Sequence, residues 1–540
     1  MHVPRPVANV TDVEQRSCGI QPAYISPTPP SKLRLPRHHS TRASTQPKPP
    51  HAVTPRGGFG LRLDKHALHI STTAVDRLCG RVCAAQGGQR VIILGVKTKS
   101  NSALAAEYRI DPDRWWDEFG ALIDRIAPRF SRYEPLRHAS GLMLGLLSGL
   151  DRKNCWTIAE RRGNSSPDGL QHMLSRAKWD AEKVRDDVRD YVVEAFGDPA
   201  GVLMVDEAGA LKKGTSTVGV QRQYTGTAGR IENAQVAVYL TYAGRRGHAL
   251  IDRALYLPAS WTEDTARCDC AGIPDADRVF ATKPALARAM ICAALDAGTP
   301  ASWVAGDEVY GADPGLRAEL ESRRVGYVLA VACSHRVATA TGSVRIDTLV
   351  DLLDEQCWQM RSAGAGCKGP RWYSWAWIPL PDNEYGHTSM LLRRHDVTGE
   401  IAYYRCFSPV AVTLSELVRV AGWRWKIEES FQAAKGQAGL DEHQVRRWTS
   451  WHRWVTLAMA TMAFLAVTTA AERERSPVVD DLIMLTINEL RRLFNALVLG
   501  ALASVEHVLA WSAWRRKHQA TAQRCHYHRR SGDLQTDLLL

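Results

Sequence analysis

The stretch VLMVDEAG at residues 202–209 decides the fold, and WVAGDEVYG at 303–311 repeats its pattern. In each, a short apolar run of the kind that forms a buried strand ends in an aspartate, Asp206 or Asp307. A glycine follows within a few residues, and glycine lets the chain turn away. The pattern therefore predicts two carboxylates, each exposed at the end of a buried strand.

A third acid, Glu428, lies in WRWKIEESF at 423–431. Arg424, Glu428 and Lys435 are separated by four and then seven residues, so they share one face of a predicted helix. At a rise of about 1.5 Å per residue, Glu428 and Lys435 lie roughly 10 Å apart and cannot simply pair. An ordinary surface helix with a local ion pair is the alternative. The neighbouring apolar stripe, which would dock this helix on a sheet, consists of Ile427, Phe431 and Ala434.

Three carboxylates in one cleft would repel one another and stay partly protonated unless a divalent cation neutralised them. Asp206, Asp307 and Glu428 therefore predict a site for two ions of Mg²⁺ or Mn²⁺. Two such ions activate a water and stabilise a leaving oxygen in phosphodiester cleavage. We expect Asp206 to bridge both ions, and each of the other two acids to complete one ion. Arg424 and Lys435 would flank Glu428 as cations suited to DNA phosphates.

Five stretches of the chain carry a resemblance to a known family. They are VDEAGALKKGTSTVGVQRQYTGTAGRIENAQVAVYL at 205–240, LYLPASWTED at 255–264, WVAGDEVYG at 303–311, WRWKIEESFQAAKGQAGLDEHQVRRW at 423–448, and WSAWRRKHQATAQRCHYHRR at 511–530. On these stretches the chain resembles bacterial insertion-sequence transposases of the DDE superfamily, most closely the 701 group. The resemblance implies an α/β fold with a ribonuclease-H-like catalytic core, whose acids fall at Asp206, Asp307 and Glu428.

Each of these acids is followed by a glutamate, namely Glu207, Glu308 and Glu429. Consecutive side chains of a strand point to opposite faces, so one acid of each pair should reach the cleft. The resemblance selects the two aspartates, and the shared helical face selects Glu428.

The helix motif of related enzymes also places a tyrosine ahead of its arginine, glutamate and lysine, and this chain has Ala421 there. That tyrosine is associated with handling a DNA-hairpin end in related enzymes, so the resemblance does not assign a hairpin route. Trp423 or Trp425 could supply a stacking surface instead.

The chain has 69 Lys and Arg against 57 Asp and Glu, a formal charge of +12. An excess of this size favours polyanionic partners, although a merely solvated surface gives the same composition. Residues 511–530 contain no acid, and their cations could track a phosphate backbone with a steep dependence on salt. These candidate DNA contacts are Arg515, Arg516 and Lys517, with Arg524, Arg529 and Arg530 beyond them.

Composition, periodicity and the extent of the resemblance together predict five parts along the 540 residues. They are a disordered basic leader at 1–60 with 11 of the 26 prolines, an extension of unknown role at 61–111, a helical N-terminal domain at 112–200, a catalytic core at 201–475, and a helical basic C-terminal region at 476–540. Within the helical domain, residues 151–179 form either a helix-turn-helix-like DNA-binding element or a plain helical hairpin.

The clearest predicted elements of the core are strands at 202–206, 216–224, 235–242 and 326–332 and a helix at 283–297. Asp307 and Glu428 are 121 positions apart, which predicts an inserted subdomain at about 332–400. Its aromatic and basic segment at 358–377 either packs a small sheet or contacts DNA. The uncharged apolar run at 455–471 is at the lower limit for a membrane span and is better interpreted as a core helix.

We therefore expect a transposase that binds the terminal inverted repeats of an insertion sequence, cleaves DNA and joins the 3′ ends to target DNA. Two alternatives stay open: an inactive relic that represses by occupying transposon ends, and a ribonuclease-H-like nuclease that cuts without joining. No serine or tyrosine lies in a constellation that suits covalent recombination. DNA is the expected partner, with a homodimer by analogy and no membrane. The scattered cysteines and the lack of a signal segment suit a cytoplasmic location.

Overall fold

The computed structural model describes residues 110–339, 342–366, 369–475, 483–500 and 521. Several predictions lie outside these ranges and stay predictions. They concern the leader at 1–60, nearly all of the extension at 61–111, Lys368 in the aromatic segment, and the C-terminal cations Arg515, Arg516 and Lys517.

From residue 110 onward, where the described residues begin, five α-helices precede the first strand. They are α1 Pro112–Ile126, α2 Tyr133–Leu147, α3 Cys155–Arg161, α4 Asp168–Ser175 and α5 Ala181–Phe196. Side-chain oxygens of Asp111, Asn154 and Asp180 accept hydrogen bonds from the first free backbone amides of α1, α3 and α5, which defines where these helices begin. Trp115 and Phe119 of α1 are buried, as the apolar spacing predicts.

The candidate DNA-binding segment at 151–179 contains α3 and α4, which flank residues 162–167. Gly163 has a φ of 75° in this connection, a left-handed conformation that favours glycine. Two short helices around a turn suit both a DNA-binding element and a plain hairpin, so both alternatives stay predictions.

Twelve strands follow within the described residues. They are β1 Gly201–Leu211, β2 Gln221–Thr225, β3 Arg230–Ala243, β4 His248–Leu255, β5 Ala301–Gly306, β6 Gly326–Val331, β7 Arg336–Thr339, β8 Gly342–Arg345, β9 Gln359–Gly366, β10 Gly369–Pro379, β11 His387–Arg394 and β12 Ile401–Ser408. Ten of them form one sheet in the order β2-β3-β1-β5-β6-β12-β11-β10-β9, with β4 also paired to β3.

The centre of this sheet has the ribonuclease-H-like arrangement. β1 pairs antiparallel with β3 and parallel with β5, and β5 pairs parallel with β6. Apolar runs buried on both faces suit such central strands, and residues 202–205 of β1 are fully buried. The mixed α/β fold class is confirmed.

Within the ranges that the structure describes, ten further α-helices with assigned bounds lie among the strands and after them. They are α6 Ala259–Thr262, α7 Thr265–Ala271, α8 Lys283–Asp296, α9 Glu308–Gly311, α10 Pro314–Ser322, α11 Ile346–Val350, α12 Leu414–Trp423, α13 Trp425–Ala438, α14 Trp448–Arg475 and α15 Ile487–Phe494. Short 3-10 helices cover Ala127–Arg129, Asp275–Asp277 and Glu355–Cys357, and a π-helix covers Asn495–Leu499.

The strands predicted at 202–206, 235–242 and 326–332 and the helix at 283–297 are confirmed, with boundaries shifted by a few residues at most. The strand predicted at 216–224 is largely wrong, because β2 begins only at Gln221. Before it the chain turns at Gly219, whose φ is 72°, and the Val218 amide donates to the Arg446 carbonyl rather than to a neighbouring strand.

One local prediction for Asp206 is also wrong. β1 does not end at this residue or turn at Gly209 but continues to Leu211, because the long strand β3 stays paired with it throughout. Gly209 serves a close approach instead, since a Cβ there would lie 1.9 Å from Thr225 Oγ1. Asp206 is therefore buried rather than exposed, with 8% of its surface accessible.

The interval between β6 and α12 contains β7 to β12 and α11. β7 and β8 form a separate two-stranded sheet, whereas β12, β11, β10 and β9 extend the main sheet outward from β6. In the aromatic segment of this interval, Trp375 is buried, whereas Trp372 and Trp377 are exposed. One face of the extension packs on an apolar cluster of Val331, Val337, Ile346, Ala376, Leu380, Met390 and Leu392.

The apolar run at 455–471 lies in α14, the one helix of the described residues that is long and apolar enough to cross a membrane. The most apolar window of α14 is 89% buried inside the protein, which suits the predicted core helix. The hydroxyls of Thr461 and Thr469 donate to carbonyls one turn earlier, which satisfies these two buried polar groups within the helix.

Candidate active site

Asp206 lies on β1, and Asp307 directly follows the neighbouring parallel strand β5. Val205 of β1 pairs with Gly306 of β5, so each aspartate is the next residue after this pair. Adjacent strands are about 4.8 Å apart, and side chains in register point to the same face of the sheet. Asp307 follows β5 directly, as predicted for a strand end, and its Oδ1 accepts a hydrogen bond from the Val309 amide at the start of α9.

The helix α13 lies across this face of the sheet. Tyr239 of β3 is the register partner of Asp206, and its ring packs edge-on against Phe431 of α13 with 5.4 Å between ring centroids. Ile427 and Ala434 of the same helix are fully buried, so the predicted apolar stripe is the docking face. Glu428 lies about one helical turn before Phe431 and so reaches the edge of the same surface.

All three acids line one cleft of about 470 Å³. Arg424 and Lys435 line it too, so the structure brings together every described residue of the predicted site. Sequence reasoning missed other residues of the cleft wall, which come from β1, the β2–β3 hairpin and α13. These additional residues are Ala208, Tyr224, Gly226, Thr227 and Gln432, and Glu207 lines the cleft beside Asp206, although only one acid of that pair was expected there.

Arg424 differs in its local setting from the prediction, because it is not inside a helix. It is the single residue between the end of α12 and the start of α13, with φ −50° and ψ −32°. Its Nη1 atom lies 3.6 Å from Asp206 Oδ2 and 3.9 Å from Glu428 Oε1. Arg424 is therefore a cation between two of the three acids.

Burial and nearby negative charges raise the pKa of both aspartates. Burial raises the pKa of Asp206 from its ordinary 3.8 to about 7, with the negative charges of Asp307 and Glu428 adding to the shift and Arg424 opposing it. The pKa of Asp307 is also raised, first by burial and then by the nearby charge of Glu207. Excess negative charge of this kind is what a bound cation would neutralise.

The neighbouring glutamates have partners of their own. Glu207 accepts a hydrogen bond of 2.7 Å from the Tyr310 hydroxyl and pairs with Lys283 Nζ at 2.5 Å. These contacts hold the start of α8 and the short helix α9 against β1. Lys283 and Tyr310 carry no sequence signal that would have identified them, since their role depends on a contact across the fold.

Glu429 points away from the cleft. Its Oε2 lies 3.4 Å from His248 Nε2, whose Nδ1 lies 2.9 Å from Ser430 Oγ. The hydrogen bond to His248 lowers the pKa of Glu429. This arrangement agrees with the choice of Glu428 over Glu429 from the helical face.

Three carboxylates are an oxygen donor set that suits Mg²⁺ or Mn²⁺, and the raised pKa values of the two aspartates, which Arg424 only partly offsets, fit a site for a divalent cation. Their carboxylates are nevertheless not close enough together to bind one metal ion as a set of three ligands. Among the described residues, no group of three or more His, Cys, Asp or Glu side chains is arranged to hold a metal ion.

A larger cleft of about 1080 Å³ lies elsewhere, beside α5 and α14. Two of its charged groups pair with each other: Arg253 donates to both carboxylate oxygens of Glu182 at 2.7 and 2.8 Å. Burial lowers the pKa of His452 there to about 3, so this histidine is neutral at physiological pH. The three acids do not line this cleft, and we place no chemistry in it.

The family model described as DDE superfamily endonuclease matches residues 125–345. A relative, the probable transposase for insertion sequence element IS701 from Microchaete diplosiphon, is 27% identical over 224 residues, or 41% of this chain. The match spans 54% of that relative, about half of its length.

A solved structure, the piggyBac transposase synaptic complex with hairpin DNA, is similar over 77% of this chain and 83% of that chain. The sequence identity is 11% and the TM-score 0.33, which is too low to carry a structural argument.

The family model and the relative support a transposase of the DDE superfamily. Within that superfamily they support the IS701 type, which confirms the resemblance inferred from the sequence. The matched family region includes Asp206 and Asp307 and ends before Glu428. The choice of Glu428 as the third acid therefore depends on the geometry of the cleft.

Proposed function

We propose that this protein binds the terminal inverted repeats of an insertion sequence, cleaves DNA there and joins the freed 3′ ends to target DNA. One observation carries the proposal: Asp206 on β1 and Asp307 at the end of the parallel strand β5 line one cleft, and α13 brings Glu428 into it. Clustered carboxylates at raised pKa are typical of functional sites, because a stable fold has no need to bury them together.

Asp206, Asp307 and Glu428 would hold the divalent cations, two ions of Mg²⁺ or Mn²⁺. When bound, such ions activate a water or a 3′ hydroxyl and stabilise the leaving oxygen of a phosphodiester. The protein's own contribution is position: β1 and β5 fix the two aspartates relative to each other, and the apolar face of α13 fixes the glutamate over them.

DNA is the proposed partner, with its phosphates in contact with the cations that line the cleft. Arg424 offers a planar guanidinium that matches phosphate oxygens, and Lys435 adds a point charge farther along the helix. Arg515, Arg516 and Lys517 would extend this contact along the backbone. A homodimer that holds both ends of the element, in the cytoplasm at the nucleoid, completes the proposal.

The experiment uses the purified full chain, Mg²⁺ and a duplex that carries one terminal repeat of the element. D206N, D307N and E428Q remove one ligand charge each with little change in shape. We expect each variant to lose cleavage by at least about a hundredfold while it still binds the duplex, because metal ligation and phosphate contact are separate.

The matched control is E429Q, which removes the same charge from the next residue of α13. Glu429 pairs with His248 rather than lining the cleft, so E429Q should keep most of the cleavage activity. Retained cleavage in D206N, D307N or E428Q would contradict the assignment. Cleavage without joining would indicate a nuclease, and binding without cleavage by the unaltered chain would indicate an inactive relic.

A further inference from the structure

Arg424 places a single nitrogen between two of the acids. Nη1 is 3.6 Å from Asp206 Oδ2 and 3.9 Å from Glu428 Oε1, so one positive atom serves both carboxylates. The backbone of Arg424 is held between α12 and α13, which fixes where the side chain starts. The side chain itself is 28% exposed, so its guanidinium can leave the acids without unfolding either helix.

The other cations near the site are placed differently. Lys283 is engaged with Glu207 at 2.5 Å. Lys435 lines the same cleft, but its Nζ lies over the Phe431 ring, 5.9 Å from the ring centroid. Arg424 is therefore the cation that neutralises Asp206 and Glu428 directly.

A guanidinium and a divalent cation cannot occupy the space between the same two carboxylates. On the basis of the proposed metal site, we propose that Arg424 holds the place of a cation in the DNA-free protein and must swing away before metal binds between Asp206 and Glu428. A DNA phosphate in the cleft is the acceptor that receives the displaced guanidinium, since arginine matches phosphate as well as it matches carboxylate.

This exchange couples the two ligands. DNA that draws Arg424 away makes the acids available to metal, and metal that occupies the acids frees Arg424 for DNA. By linkage the two effects are equal in size. The free protein would bind metal weakly, and the site would become fully competent only on DNA.

The test measures Mn²⁺ binding to the full chain by electron paramagnetic resonance of the free ion, without DNA and without any activity assay. R424Q removes the competing charge and should bind Mn²⁺ roughly tenfold more tightly than the unaltered protein, as expected for the loss of one cation about 4 Å from the acids. R424K keeps the charge and should stay close to the unaltered affinity.

The matched control is K435Q, which removes one positive charge from the same cleft roughly 10 Å along the helix from Glu428. It should change Mn²⁺ affinity by less than about threefold, because a charge at that distance is largely screened. A short blunt DNA duplex of arbitrary sequence should tighten Mn²⁺ binding to the unaltered protein and leave R424Q nearly unchanged.

Two results would overturn the role of Arg424 while leaving the metal site intact. One is that R424Q binds Mn²⁺ no more tightly than the unaltered protein does. The other is that R424Q, R424K and K435Q all bind Mn²⁺ more tightly by the same factor. D206N separates this result from failure of the proposed function. If D206N binds Mn²⁺ as well as the unaltered protein does, then the metal site itself is misplaced.

Discussion

The three acids of the cleft differ in how far they are withdrawn from water. The side chain of Asp206 is 11% exposed, whereas that of Glu428 is 44% exposed. Asp206 therefore bears the largest cost of carrying charge, which is why its pKa rises to about 7. A buried carboxylate with a raised pKa lowers the free energy of unfolding when it is ionised, and its charge is well suited to bind a cation.

The pH dependence of stability follows from this shift. The folded pKa of Asp206 is about 7 and its ordinary value is 3.8, so the folded state holds a proton that the unfolded state releases between these values. Stability from this residue is present below pH 3.8 and is lost as the pH rises through about 7. Asn cannot ionise, so D206N should escape this loss.

In chelated buffer we expect D206N to unfold at a similar free energy to the unaltered protein near pH 4. Above pH 7 it should be more stable by up to about 4 kcal/mol, at about 1.4 kcal/mol per pKa unit. Urea unfolding at several pH values measures the difference. A gap between the two proteins that does not widen with pH would contradict the raised pKa.

At the scale of elements, Arg453 joins the buried helix α14 to the end of α4. Its guanidinium donates to the carbonyls of Met173, Ala177 and Trp179 at 2.6 to 3.1 Å. The guanidinium carbon also lies 4.9 Å from the centre of the Trp179 ring. This buried side chain therefore satisfies the carbonyls of Ala177 and Trp179 and shares the Met173 carbonyl with the indole N–H of Trp179, which also donates to it.

R453M keeps the length and apolar stem of this side chain and removes every donor. We expect a loss of about 3 kcal/mol in the free energy of unfolding, because three buried carbonyls lose a charged partner. R453K, which retains a charge but not the planar fork, should lose less. Denaturant unfolding measures both, and a loss below about 0.5 kcal/mol for R453M would show that water replaces the guanidinium.

At the scale of the whole molecule, the composition gives a net charge of +12 but does not say where on the surface that charge lies. The cations proposed to contact DNA phosphates fall in two regions, the cleft with Arg424 and Lys435, and the C-terminal stretch with Arg515, Arg516 and Lys517. Only the first lies within the described residues. Salt dependence distinguishes a cation that contacts phosphate from one that is merely solvated, because only the former releases counterions.

Replacing Arg515, Arg516 and Lys517 together by Gln should lower the slope of log affinity against log salt by roughly 2 to 3, at about 0.9 per lost phosphate contact. Fluorescence anisotropy with a terminal-repeat duplex over a range of NaCl concentrations gives the slope. An unchanged slope would assign the C-terminal charge to solvation and leave DNA binding to the cleft and the helical domain.

Local pattern was enough for much of the architecture. The apolar runs that end in Asp206 and Asp307, and the apolar stripe of α13, identify which segments are buried, because burial depends on periodicity that can be counted along the chain. The same periodicity placed Arg424, Glu428 and Lys435 toward one side. These features identified the buried strands, the docking helix and Glu428, whereas the choice of Asp206 and Asp307 over the glutamates beside them came from the resemblance to a known family.

Tertiary structure decided what lies between those acids. β1 runs past Asp206 because β3 is longer than β5. Tyr310 donates a hydrogen bond to Glu207, and Arg424 reaches Asp206 from a helix junction more than two hundred residues away in sequence. Such contacts depend on strand length, register and charge across the fold. Spacing along the chain contains no measure of them, because it records only the positions of neighbours in sequence.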